Sequence, residues 1–188
     1  HGRNRPVSHK PEYETFCAAG TLMLNDDLES IIRMNDTVNA YGLDSISAPC
    51  TVAFAVSCYE DGILTKSETD GLELRWGNSE AIVAMLERLA RRKGFGAVLA
   101  DGVAKAAERI GRGSEKFAIH IQGQEVPMHD PRYTPGLTIC YRMDATPARH
   151  TQGFEMLVPP GLDLAKGEKY DYAGKGEAAV EALDRYDL

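Results

Sequence analysis

The sequence has 188 residues, 43% of them hydrophobic and 26% charged, with a formal net charge of -7 and a pI near 5.3, the profile of a folded protein with a real core. An acidic chain of this kind has no basic stripe with which to displace counterions, which argues against a nucleic-acid partner or an anionic membrane surface. The apolar run around Pro49 to Tyr59 is too short to span a bilayer, and no signal peptide is visible. The chain opens on His1 rather than Met, which reads as a tag remnant, a cut or a processed start.

The predicted elements are almost all helical. Asp26 to Tyr41 reads as a helix, with Asp26 as cap and Glu29 three residues on as its capping-box partner. Its apolar stripe is Ile31, Met34, Val38 and Tyr41, and Gly42 stops it. Thr51 to Glu60 reads as a largely buried helix ended by Asp61-Gly62, although its Val, Phe and Thr content leaves a strand open. Ser79 to Lys93 is the clearest helix: Asn78 caps it, Ile82, Met85, Leu86 and Leu89 form its core face, and Arg91, Arg92 and Lys93 suit its carboxyl end. Ala97 to Ile110 reads as one further helix, with Gly111 after it. Phe117 to Ile121 is a short strand or extended segment, and 122–135 a polar loop. Leu137 to Met143 starts another helix, Ala148 to Lys169 is a Gly- and Pro-rich connection, and Glu177 to Tyr186 is a final helix. The fold class expected is all-α, multihelical, with at most a short β element.

The four cysteines, Cys17, Cys50, Cys58 and Cys140, form no C-x-x-C pair. Cys50 and Cys58 would sit about 12 Å apart along one helix, too far for a disulfide or a shared metal. They read as buried thiols of a reducing cytoplasm. Glu12 and Glu14 would share a face in an extended segment and diverge on a helix; on their own they read as solvated carboxylates. Asn39-Ala40-Tyr41-Gly42-Leu43-Asp44 follows a helix end, where a glycine turn and exposed amides can either simply stop the helix or hold a flat polar ring or phosphate. His150 is one of five histidines, and a lone histidine is more often structural than catalytic. His120 and His129, nine apart near Glu125 and Asp130, make a loose metal spacing and carry little weight. Gly94-Phe95-Gly96 joins two helices and follows no strand, so it is not a dinucleotide fingerprint.

Four signatures in fixed order change the weighting: Pro11-Glu12-Tyr13-Glu14-Thr15, Asn39 to Ser47, Leu74-Arg75-Trp76-Gly77-Asn78, and Asp144-Ala145-Thr146-Pro147-Ala148-Arg149-His150. Together they resemble the helical part of the aldehyde ferredoxin oxidoreductases, the tungstopterin enzymes, over most of the chain. The resemblance implies that Glu14 stands beside the metal as an acid/base and that His150 donates a hydrogen bond to an oxo or substrate oxygen. It implies that Asn39, Gly42, Leu43 and Asp44 contact one of two pterins, with Asn39 where the family's D-x-x-G-L-D/C pattern starts with Asp. Residues 1–10 would be a tail or linker, 11–135 a helical domain like the family's second, and 136–188 the start of the next.

In the complete enzymes a β-rich amino-terminal domain and a C-x-x-C-x-x-x-C run for a [4Fe-4S] cluster precede this region. Neither is found here, so this chain alone is expected to hold neither cluster nor tungstopterin. No E-x-x-H occurs either, so no intersubunit metal is expected. The resemblance implies oxidation of a small aldehyde to a carboxylate, with ferredoxin as electron acceptor. Two other readings stand beside it: a relative that reduces a thioester-activated aromatic ring, and a stand-alone helical remnant that binds a partner or small ligand without redox chemistry. Apolar surface left exposed would favour a homo-oligomer.

Overall fold

The computed structural model describes residues 8–150, 170 and 172–186. Most of the expected tail and of the connection from Ala148 to Lys169 lie outside the described residues. The described residues form helices α1 (Tyr13–Ala19), α2 (Leu28–Tyr41), α3 (Ser47–Glu60), α4 (Ser79–Ala90), α5 (Gly96–Leu99), α6 (Val103–Ile110), α7 (Leu137–Met143) and α8 (Lys175–Tyr186). The strands β1 (His120–Ile121) and β2 (Gln124–Glu125) pair antiparallel as a two-stranded hairpin. The expected all-α class with one small β element is what is seen. The chain divides into two compact units, His1–Glu125 and Val126–Leu188.

The first unit is organised around α3. Nine of its residues, from Ala48 to Cys58, are buried, and of the rest only Glu60, its last, is exposed. The stripes of α2 (Ile31, Met34, Val38) and α4 (Ile82, Met85, Leu86, Leu89) belong to the same core. Helix α3 starts four residues earlier than its periodicity suggests. Asp44 Oδ1 accepts from the Ile46 and Ser47 amides (2.9 and 2.7 Å) and so opens the helix ahead of Pro49. Proline is tolerated in a first turn because its missing donor would have had no partner there.

Two other boundaries differ from the sequence reading. The cap of α2 is Asp27, whose side chain accepts from the Glu29 amide at 3.0 Å, rather than Asp26. The single helix expected over Ala97 to Ile110 is two helices, broken at Gly102 with φ 86°. The break is held from a distance: the buried Glu125 accepts from the Val103 amide at 2.6 Å, and Thr51 Oγ1 lies 3.3 Å from the same oxygen. A carboxylate on the first free amide of α6 does what a local cap would do. Asn78 caps α4 as expected, accepting from Ala81 at 3.3 Å, but the helix ends at Ala90 and Arg92 is left-handed. Of the expected extended segment, Phe117 ends a 3-10 turn and His120–Ile121 form β1; β2 lies within the stretch expected as loop.

A second polar knot joins three elements of the first unit. The buried Asn25 donates to the Ala19 carbonyl (3.0 Å) and to Ser30 Oγ (2.7 Å), and its Oδ1 accepts from Ser79 Oγ (2.7 Å) and the Asp27 amide (3.2 Å). It thereby fixes the end of α1 against the starts of α2 and α4. In the second unit α7 packs with α8, burying Leu137, Cys140, Tyr141 and Ala179.

Candidate active site

Glu12 has extended backbone (φ -78°, ψ 163°), as a residue after Pro11 readily adopts, and α1 begins at Tyr13. The two glutamates therefore part company: Glu12 is exposed, while Glu14 sits in the first helical turn and is buried. A first turn is where the peptide dipoles favour a carboxylate. One turn further on, Cys17 pushes the Tyr13 hydroxyl above its ordinary range by its charge and hydrogen bond. Next to Glu14, the buried Thr15 donates from Oγ1 to Ser45 Oγ at 2.7 Å. That bond ties α1 to the segment directly after Asp44, so the first and second signatures come together in the first unit.

The second signature is a helix stop followed by a helix start. Gly42 is left-handed (φ 64°, ψ 35°), and the Leu43 amide reaches back to the Val38 carbonyl at 2.9 Å, closing the last carbonyls of α2. No atom lies within 4 Å of where a Gly42 side chain would begin, so the glycine is required by its backbone angle and leaves the surface above it open. Asn39 is exposed, and its amide nitrogen donates to the Asn35 carbonyl at 2.8 Å. Leu43 packs on the core, and Asp44 is exposed while capping α3. Exposed polar atoms at Asn39 and Asp44 around a bare glycine turn fit a flat polar ring lying over the loop.

The third signature is scaffold. Glu60 accepts from Arg75 and from the Trp76 amide (both 3.2 Å), Gly77 donates to the Met23 carbonyl at 2.9 Å, and Asn78 caps α4.

The fourth signature lies in the second unit. Asp144 ends α7 and its Oδ1 accepts from the Thr146 amide at 2.8 Å. The buried Ala148 has φ 55° and donates to the Tyr141 carbonyl at 2.8 Å. His150 follows two residues later, its ring centroid 4.6 Å from that of His129 with the planes tilted by 58°. Tyr141, only 1% exposed, donates from its hydroxyl to the His129 carbonyl at 2.8 Å. Sequence spacing pairs His129 only with His120. His120 belongs to β1 in the first unit, where its Nδ1 accepts from the Gly123 amide. Tyr141 carried no signal in the sequence beyond its place on a short helix.

A family model described as "Aldehyde ferredoxin oxidoreductase, domains 2 & 3" matches residues 1–188, and the chain belongs to this family of oxidoreductases. The tungsten-containing aldehyde ferredoxin oxidoreductase of Thermococcus kodakarensis is 36% identical over 149 residues, 79% of this chain and 24% of that protein. The aliphatic sulfonate oxidoreductase WOR-like subunit of Pyrococcus furiosus is 32% identical over 151 residues, 77% of this chain and 24% of that protein. Among solved structures, the active site complex BamBC of benzoyl coenzyme A reductase with 1,5 dienoyl-CoA aligns at TM-score 0.62 and 30% identity, covering 76% of this chain and 22% of that one. The chain thus spans about a quarter of the length of the curated relatives it matches. Among the described residues, no helix is long and apolar enough to cross a membrane.

Proposed function

We propose that this chain is the helical substrate-side region of a tungsten-dependent oxidoreductase that converts an aldehyde and water to a carboxylate. Residues 11–135 would then serve as the family's second domain and 136–188 as the start of its third. The observation that carries the reading is the burial of Glu14 on α1, with its neighbour Thr15 bonded to Ser45 at the glycine turn.

In the overall reaction, aldehyde and one water give carboxylate, three protons and two electrons. When bound, the tungstopterin would accept the two electrons, and a [4Fe-4S] cluster would pass them singly to ferredoxin. Glu14, as carboxylate, takes a proton from the water or the aldehyde hydrate. His150 donates a hydrogen bond from its imidazole to the oxygen on which charge develops. Asn39, Gly42, Leu43 and Asp44 would hold the pterin, with the exposed polar side chains of Asn39 and Asp44 flanking the glycine turn.

The test is elemental analysis of W, Mo and Fe, on this chain and on the product of an upstream-extended reading frame, followed by Glu14→Gln in the extended protein. Tungsten and about four irons in the extended form, with aldehyde oxidation falling at least about 100-fold in Glu14→Gln at unchanged metal content, is the expected result. Full activity in that variant overturns the role of Glu14. Absence of metal in every form favours the stand-alone remnant. The likeness to the benzoyl coenzyme A reductase complex supports a second reading, reduction of a thioester-activated aromatic ring. Turnover of an aromatic thioester without turnover of any aldehyde would select it.

A further inference from the structure

Tyr141 uses both of its polar ends on the segments that carry the two histidines of the second unit. Its hydroxyl donates to the carbonyl of His129 itself (2.8 Å). Its own carbonyl, one of those left over at the end of α7, accepts from the Ala148 amide (2.8 Å), two residues before His150. The side chain is 1% exposed, so the hydroxyl needs a partner inside the protein, and the partner is the His129 backbone. The second tether carries backbone strain. Ala148 is buried with φ 55°, a conformation costing an L-residue about 1–2 kcal/mol. Such strain persists where the surroundings over-determine it, and it clusters at functional loops. The outcome of both tethers is one relation: imidazole centroids 4.6 Å apart at a 58° tilt, within the range of edge-on ring contact.

We propose that Tyr141 is a positioning residue that holds the imidazoles of His129 and His150 in register, so that His150 presents its ring in one orientation. This rests on the reading of His150 as the donor to the reacting oxygen. A donor aimed by its neighbours loses rate, and not substrate affinity, when it is allowed to wander.

Tyr141→Phe removes the hydroxyl and keeps the ring. On the 188-residue chain, nitrogen-detected spectra of the imidazoles should show the His129 and His150 signals moving together while those of His9 and His120 stay. In the full-length enzyme, kcat should fall about 10-fold with KM within about twofold. A companion variant, Ala148→Gly, keeps the second tether and relieves its strain, so it should leave the His129 and His150 signals in place. A lowered melting temperature with ring signals and kcat unchanged would make Tyr141 a structural bond only and overturn the proposal. If His150→Ala keeps full activity, the reading of His150 as donor fails, whatever the spectra show. If His150→Ala is inactive and Tyr141→Phe is indistinguishable from the parent, the positioning role fails and the reading of His150 stands.

Discussion

Removing the side chain of Asn25 is the most informative test of how the first unit is assembled. Asn25→Ala takes away the side chain's hydrogen bonds with four partners: the Ala19 carbonyl, Ser30 Oγ, Ser79 Oγ and the Asp27 amide. They are not of equal worth. Ala19 is buried and its carbonyl stays dry and unsatisfied, at about 1–2 kcal/mol; Ser30 is buried too, but its hydroxyl keeps the Asp27 carbonyl (2.7 Å), so its share is about 1 kcal/mol. Ser79 is half-buried and Asp27 exposed, so water replaces Asn25 there, at about 0.5 kcal/mol apiece. The sum is about 3–4 kcal/mol, and with a urea slope of about 2 kcal/mol/M the midpoint should fall by about 1.5–2 M. Asn25→Asp keeps the acceptor but turns the donor facing the Ala19 carbonyl into a second oxygen. It should cost at least as much at neutral pH, and the deficit should narrow below about pH 4, where the carboxyl regains a proton to donate. Ser79→Ala, which touches one bond only, should cost about 1 kcal/mol or less. Urea unfolding followed by circular dichroism measures all three. An Asn25→Ala cost below about 1 kcal/mol, or a Ser79→Ala cost as large as that of Asn25→Ala, would refute the reasoning.

Three further outcomes follow from the same structure. Glu125→Gln should lower stability by about 1–2 kcal/mol and Glu125→Ala by about 2–4, and hydrogen exchange at the Val103 amide should speed up in both, because that amide loses its charged acceptor. Gly96→Ala should cost more than about 3 kcal/mol, since the new carbon would stand 2.2 Å from the Arg88 carbonyl carbon and backbone cannot step aside; Gly62→Ala, with open space and φ 76°, should cost only about 1 kcal/mol in the same urea assay. Burial pushes the Cys58 thiol up to about 11, against an ordinary 9.0, so at pH 8 a thiol reagent should label Cys17 and Cys50 well ahead of Cys58. The sign for folding follows: the unfolded chain loses this proton from about pH 9 and the folded one only near 11, so stability falls across that interval, and less so in Cys58→Ala.

The periodic elements were legible because their causes are local. The stripe of α2, the core face of α4 and its Asn78 cap each follow from residues three or four apart. What sequence reading missed has causes elsewhere in the chain. No residue near Gly102 says that a new helix starts at Val103, because the acceptor that starts it is Glu125. Two adjacent aspartates before α2 are equally good caps on paper; Asn25 decides between them by accepting from the Asp27 amide. At the candidate site, motif resemblance singled out Glu14 where composition read a solvated carboxylate, and its burial shows only in three dimensions. Spacing pairs His129 with His120 and gives Tyr141 no role, because the closeness of both to His150 is made by the turn after α7.

The acceptor that starts α6 also sets a schedule for synthesis. Val103 and Glu125 are 22 positions apart, so α6 leaves the ribosome long before the carboxylate that completes its first turn. Until Glu125 and the hairpin ahead of it have emerged, the Val103 amide can bond only to water, and the eight residues of α6 are too short to persist as a helix on their own. The first unit therefore closes from its carboxyl end, on the last residue it contains. A ribosome paused before that residue would hold a nascent chain with α2, α3 and α4 already able to pack and the α6 edge still open. Limited proteolysis of stalled chains would show that edge as the last to become resistant.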